Sequence, residues 1–282
     1  MNFAIRKSLQ PKDMHLDVKG ARLRYRDAGA GPAIVFVHGW TLDLDMWEPQ
    51  AAALSPGYRI IRLDRRGFGL STGHPSLNDD VADLQALCRH LRLQCVALVG
   101  MSQGARVVLQ MTQAWPAMVA CLILDGPPGI GRPASEARDP QELPYEDYRR
   151  LAQSHGMAAF RREWTRHPLA TLRTDEAAVR DLLAGMIARY PGNDLLAPAP
   201  RPAEIETPPA IQSIVHPVLV IGGAHDIDSR RRFAAGLACD LPRAERVEIP
   251  AAGHLCNLDN PPAYNRALRK FLERHVPAHS TP

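Results

Sequence analysis

The sequence predicts an α/β fold: a mostly parallel, twisted sheet flanked by helices and interrupted once by a helical insertion. Three observations predict it. Short runs rich in valine, isoleucine and leucine alternate with helix-period stretches, the pattern of strands buried on both faces and joined by crossover helices. Chemically distinctive residues stand directly after several of those runs, where open parallel sheets place their sites. The alternation breaks between Pro127 and His216, where proline-rich stretches surround two helical segments.

Taken in order, residues 14–18 and 21–27 read as an opening hairpin with Lys19-Gly20 at its turn. Ala33-Ile34-Val35-Phe36-Val37 is an apolar, β-branched strand followed by His38-Gly39-Trp40. Residues 46–54 read as a helix, 58–63 as a strand, and 78–91 as a helix capped by Asn78. Between the last two, Asp64-Arg65-Arg66-Gly67-Phe68-Gly69 reads as a sharp structural loop in which Arg66 bonds backbone carbonyls. Cys95-Val96-Ala97-Leu98-Val99 is a strand, and residues 105–111 are a buried helix. The strand at 119–124 leads into Asp125-Gly126-Pro127-Pro128.

In the insertion, Pro133, Pro140 and Pro144 mark a linker. Residues 148–164 and 175–190 read as helices, the second capped by Thr174 and stopped by Pro191-Gly192. Pro198, Pro200, Pro202, Pro208 and Pro209 mark the return. Two strand-like runs follow, Pro217-Val218-Leu219-Val220-Ile221 and Arg246-Val247-Glu248-Ile249. The expected division is a core of residues 1–130 and 210–282 with a helical cap at 131–209.

Ser102 stands in Gly100-Met101-Ser102-Gln103-Gly104, between a predicted strand and a predicted helix. This is the sequence form of a nucleophile elbow, whose turn is too tight for side chains at its flanks. Asp226 follows the later strand through Gly222-Gly223-Ala224-His225, and His254 follows the last strand through Pro250-Ala251-Ala252-Gly253. The chain order is thus serine, acid, histidine. The chemistry needs this set. A serine hydroxyl is a poor nucleophile until an imidazole takes its proton. A buried carboxylate fixes the imidazole tautomer and stabilises the imidazolium. Asp125 also ends a strand and is the alternative acid.

The loop after the strand at 33–37 and the residue after the nucleophile supply oxyanion donors in this arrangement, which assigns the Trp40 and Gln103 amides. His38 reads chiefly as a support for its loop, and joins Trp40, Phe160 and Trp164 as a candidate substrate contact. Leu151, Leu182, Leu183, Met186 and Ile187 are further apolar residues of the insertion that face either the pocket or the core. Arg162 and Arg166 could bind a carboxylate, but read more simply as solvated.

Four segments resemble those of bacterial α/β-hydrolases over nearly the whole chain. They are His38-Gly39-Trp40 with Asp45-Met46-Trp47-Glu48-Pro49-Gln50, then Leu63-Asp64-Arg65-Arg66-Gly67-Phe68-Gly69-Leu70-Ser71, the elbow, and Gly253-His254-Leu255-Cys256-Asn257-Leu258. The first two are similar to aryl esterases also described as cofactor-free haloperoxidases or perhydrolases. The first and last are similar to 3-oxoadipate enol-lactonases. The resemblance implies the α/β-hydrolase fold and a serine hydrolase. Gln103 departs from the Met or Gly common after the nucleophile.

A chain of 282 residues, 45% hydrophobic and 23% charged, is an ordinary globule at the upper edge of one domain. The net charge of +4 is scattered in short arginine runs, Arg230-Arg231-Arg232 among them, which read as solvated faces and do not argue for nucleic acid. No apolar run reaches the roughly 18 residues of a membrane helix, and the start of the chain lacks a signal-peptide core. Cys88, Cys95, Cys121, Cys239 and Cys256 are odd in number and irregular in spacing, so reduced thiols and a cytoplasmic location are expected. No cluster has metal-ligand spacing and no phosphate loop or dinucleotide fingerprint is present, so neither metal nor cofactor is expected. The expected activity is hydrolysis of a small carboxylic ester or lactone. The alternatives are C–C hydrolysis of a dioxo acid, cofactor-free dioxygenase or perhydrolase chemistry, and a non-enzymatic ligand sensor. The sequence leaves the oligomeric state open.

Overall fold

The first buried strand after the hairpin shows how the sheet is covered. Ala33, Val35 and Val37 pack into one apolar cluster while Ile34 and Phe36 pack into another. Alternate residues point to opposite faces of a strand, so a run that is apolar throughout needs helices on both sides. The computed structural model describes residues 12–130, 139–197 and 211–276.

The hairpin strands are β1 (Met14–Val18) and β2 (Ala21–Ala28). They are followed by β3 (Ala33–Val37), β4 (Arg59–Leu63), β5 (Val96–Met101), β6 (Val119–Asp125), β7 (Val218–Gly223) and β8 (Ala244–Ile249). These eight strands form one sheet in the order β1-β2-β4-β3-β5-β6-β7-β8. The β1–β2 and β2–β4 pairs are antiparallel, and every later pair is parallel. Strand β3 lies between β4 and β5, so the winding reverses there. A crevice opens at such a reversal, at the carboxyl ends of the strands. His38-Gly39-Trp40 and Ser102 leave those two adjacent strand ends.

Helix α1 (Glu48–Leu54) follows a 3-10 turn at Leu44–Trp47, so the expected helix at 46–54 is divided. Helix α2 (Leu77–His90) is capped by Ser76, whose hydroxyl accepts the Asp79 amide, and not by Asn78. Helix α3 (Gln103–Ala114) starts at the elbow. The insertion between β6 and β7 carries α4 (Tyr145–Trp164), interrupted at Gly156 with φ 81°, then α5 (Ala177–Arg189) and α6 (Asn193–Leu196). Thr174 does not cap α5; its hydroxyl accepts the Glu176 amide one residue ahead of the helix. The expected linker proline Pro133 and the return prolines Pro198 to Pro209 lie outside the described residues. Helices α7 (Asp228–Asp240), α8 (Cys256–Asp259) and α9 (Pro261–His275) complete the chain.

The loop after β4 is held by ion pairs rather than by arginine on carbonyls. Arg66 Nε and Nη2 each lie 2.7 Å from the Asp83 carboxylate, and Nη1 lies 3.2 Å from Asp79. Among the described residues its one backbone acceptor is Lys19 O at 3.3 Å. A planar guanidinium matches a carboxylate with two parallel bonds, which a single carbonyl cannot offer. Among the described residues no helix is long and apolar enough to cross a membrane.

Candidate active site

Ser102 has φ 52° and ψ −113°, a conformation that non-glycine residues rarely adopt. The surroundings hold it there. Its amide donates to Asp125 O at 2.8 Å across the neighbouring strand end. A Cβ on Gly104 would overlap the Val37 and His38 carbonyls, and one on Gly100 would overlap Gly104 itself. Side chains at either position would push the elbow off the sheet. Gln103 begins α3, so its amide belongs to the first-turn donors that no helix carbonyl accepts.

Asp226 and His254 come together from different loops. His254 Nδ1 donates to Asp226 Oδ2 at 2.8 Å, and both side chains are buried. Asp226 Oδ1 accepts its neighbour's amide, that of Ile227, at 2.8 Å. The imidazole rests against Gly126, where a Cβ would lie 2.9 Å from His254 Cε1; φ there is 49°. The histidine loop is anchored by Asp259, whose Oδ2 accepts the Gly253 amide at 2.7 Å. Its Oδ1 accepts the Arg173 amide at 2.6 Å, which ties the same loop to the insertion.

Asp125 is fully buried and accepts from Cys256 Sγ at 3.1 Å. Burial pushes its carboxyl up to about 7, only partly offset by that thiol and by the nearby imidazole. The carboxylate on the His254 ring is that of Asp226.

The loop after β3 abuts the elbow. A Cβ on Gly39 would lie 2.6 Å from Met101 Sδ and 3.3 Å from Ser102 Cβ, which puts the Gly39-Trp40 backbone beside the serine. His38 is fully buried, with Nδ1 donating to Gly39 O at 2.7 Å and Nε2 accepting the Arg65 amide at 2.9 Å. Burial holds its pKa down near 3, so the ring stays neutral. Arg65 pairs with Asp80 and also donates to the Gln103 side chain at 3.0 Å, so the residue after the serine is itself fixed.

Ser102, Gln103, Trp40 and His254 line one cavity of about 860 Å³. Trp164, Leu183 and Ile187 of the insertion line it as well. Two expected contacts do not. His38 has both ring nitrogens on backbone and no place in the wall. Phe160 is fully buried behind Trp40, with ring centroids 5.7 Å apart, in an aromatic cluster that includes Trp164 and Tyr190. Leu151, Leu182 and Met186 pack the core without lining the cavity. Arg162 and Arg166 are exposed, and Arg166 pairs with Glu163.

Against the expectation of a solvated arginine run, Arg230 is 5% exposed and lines the cavity. Its Nη2 donates to Glu142, while Nε and Nη1 are buried without partners among the described residues. Glu142 also accepts from the Ser229 hydroxyl at 2.9 Å, so the start of the insertion latches onto α7. The signal was present in the spacing: Arg230, Ala234 and Leu237 fall on one helix face, and all are buried. Asp194, whose carboxylate accepts from the Trp40 indole, carries no such signal. It lies between a Pro-Gly turn and the proline-rich return, with no periodicity to mark it.

This fold and site define the class. Residues 32–261 match the family of the alpha/beta hydrolase fold, and the chain belongs to that family. A Mycobacterium tuberculosis protein named as a non-heme bromoperoxidase is 30% identical over 262 residues, 89% of this chain and 97% of that one. A 2-(acetamidomethylene)succinate hydrolase of Mesorhizobium japonicum is 27% identical over 273 residues, 92% and 94% of the two chains. Among solved structures, a thermophilic esterase from Thermogutta terrifontis with malate bound superposes with a TM-score of 0.77 at 26% identity, covering 94% of this chain and all of that one.

Proposed function

We propose that this protein is a serine hydrolase that cleaves a small carboxylic ester or lactone through an acyl-enzyme. The observation that carries this reading is the buried Asp226–His254 hydrogen bond at a cavity whose wall also holds Ser102. With Nδ1–H committed to Asp226, Nε2 is left as the basic nitrogen. It takes the Ser102 proton as Oγ attacks the carbonyl carbon. The oxyanion forms beside the amides of Trp40 and Gln103. Collapse expels the alcohol, which takes the proton from His254. Water then enters, gives a proton to His254, and releases the acid and the free serine. Asp226 orients the ring and stabilises the imidazolium throughout. The insertion roofs the cavity, and its apolar side chains select the acyl group.

The cavity volume suits a small ligand, and its wall combines apolar side chains with a few polar ones. An esterase is among its structural relatives, and a hydrolase is among its sequence relatives. The bromoperoxidase name favours one second reading. If hydrogen peroxide replaces water in the second half-reaction, the same acyl-enzyme yields a peracid. Both readings are tested by a fluorophosphonate probe and by hydrolysis of 4-nitrophenyl acetate. Ser102→Ala should lose labelling and turnover together. Equal labelling of wild type and variant would sink the acyl-enzyme.

A further inference from the structure

The loop that carries the Trp40 amide is fastened to the insertion by its side chains. Trp40 Nε1 donates to Asp194 Oδ2 at 2.6 Å. Tyr190 donates its hydroxyl to the other oxygen of that carboxylate, and the Tyr145 hydroxyl donates to Asp194 O at 3.2 Å. The next loop residue, Thr41, has φ 62°, which is a true outlier for a β-branched side chain. Its Oγ1 accepts from Trp164 Nε1 at 2.8 Å. Two residues further, Asp43 Oδ2 accepts from Arg189 Nε at 3.1 Å and Nη2 at 2.7 Å. Partners from α4, α5 and α6 thus meet three of four consecutive loop residues.

Backbone strain persists only where its surroundings over-determine it, and it concentrates at working sites. Here the strained residue directly follows the proposed oxyanion donor. We propose that Asp194 is a positioning residue: through the Trp40 indole, and together with Trp164 on Thr41, it sets where the Trp40 amide points. This rests on the reading of Ser102 as an acylated nucleophile. Asp194 does not line the cavity, so its removal takes no group away from the wall that meets the substrate. The loss falls on the transition state, where the oxyanion exists, and spares ground-state binding. Trp164 does line the cavity while bonded to Thr41, so the wall that meets the acyl group is joined to the oxyanion loop. Acyl preference is therefore expressed in kcat more than in KM.

The test compares wild type, Asp194→Ala and Asp194→Asn as full chains on 4-nitrophenyl acetate. Each is also titrated with an aryl trifluoromethyl ketone, which needs the oxyanion site, and with 4-nitrophenol, which does not. Asp194→Ala should lower kcat by roughly 10- to 100-fold, the scale of a misplaced donor, with KM within about threefold. The ketone Ki should rise by the same factor as kcat falls, while the 4-nitrophenol Ki holds. Asp194→Asn keeps an acceptor oxygen for the indole and should recover most of the rate. Wild-type kcat and ketone affinity in Asp194→Ala would overturn the proposal, as would equal losses of ketone and 4-nitrophenol affinity. If Asp194→Ala does not fold, Tyr190→Phe removes only the hydroxyl that holds Asp194 Oδ1, and the same split between ketone and 4-nitrophenol decides. Turnover retained in Ser102→Ala would instead sink the underlying reading.

Discussion

His254 Nδ1 lies 2.8 Å from Asp226 Oδ2, and the two residues leave the ends of neighbouring strands β7 and β8. Asp125, one strand further in, keeps its carboxyl on the Cys256 thiol. Of these two buried acids, Asp226 is bonded to the imidazole and Asp125 to the thiol.

Asp226→Asn should keep the fold and lower kcat by up to about 10⁴-fold, because the amide favours the wrong ring tautomer. Asp125→Asn should leave kcat within a few-fold. Steady-state kinetics beside thermal melts separate the two. A larger kcat loss in Asp125→Asn at unchanged Tm would reverse the assignment.

Asp125 and His38 should bend the stability profile in opposite senses. Burial raises Asp125 from 3.8 to about 7, so the folded state holds its proton more tightly than the unfolded chain. That contribution is complete below about pH 4 and is lost as pH rises towards 7. His38 is lowered from 6.5 to about 3, so its contribution is complete above about 6.5 and is lost as pH falls towards 3. Urea midpoints from pH 4 to 8 should show a shallower decline on the alkaline side in Asp125→Asn than in wild type. Parallel curves would show that Asp125 does not titrate there.

Trp164 lines the cavity and also meets Trp40 in an edge contact, with ring centroids 4.9 Å apart. It is only 4% exposed. Trp164→Ala should therefore cost about 3–5 kcal/mol, as for a buried tryptophan. It should also re-rank kcat/KM among acyl groups by about 10- to 200-fold, since a methylene-sized difference in fit is worth roughly 1–3 kcal/mol. A fall in Tm with an unchanged ranking would make it a core residue alone.

The Arg230–Glu142 pair joins the insertion to α7 through a buried guanidinium and a carboxylate that is 33% exposed. Removing Glu142 strands the arginine. Glu142→Gln should cost about 2 kcal/mol in urea unfolding, below the ~3–5 kcal/mol of a fully buried pair because Glu142 is partly solvated. Replacing both, as Glu142→Gln with Arg230→Met, should restore part of the loss. A double variant less stable than Glu142→Gln alone would show that the guanidinium packs favourably without its partner.

The sequence by itself determined the sheet, the elbow and the order of the polar residues after the strands. Those features are local. A five-residue apolar run, a glycine-flanked serine and a histidine after a strand each follow from short-range sterics and hydrophobic period. Ser102, Asp226 and His254 were legible because a parallel sheet must deliver its strand ends to one edge. Helix starts were less legible: Ser76 and Thr174 show that cap choice depends on which hydroxyl meets an amide, not on residue type alone.

Only the tertiary structure decided which side chains meet across long stretches of chain. It placed Phe160 behind Trp40 and Trp164 on the cavity, though both sit on one helix. It buried Arg230 against Glu142, and set Asp194 on the indole of Trp40, which is 154 residues away in sequence. Such pairings carry no local signal. They arise because a buried donor or charge is costly until it finds a partner, and the fold alone determines which partner lies within reach.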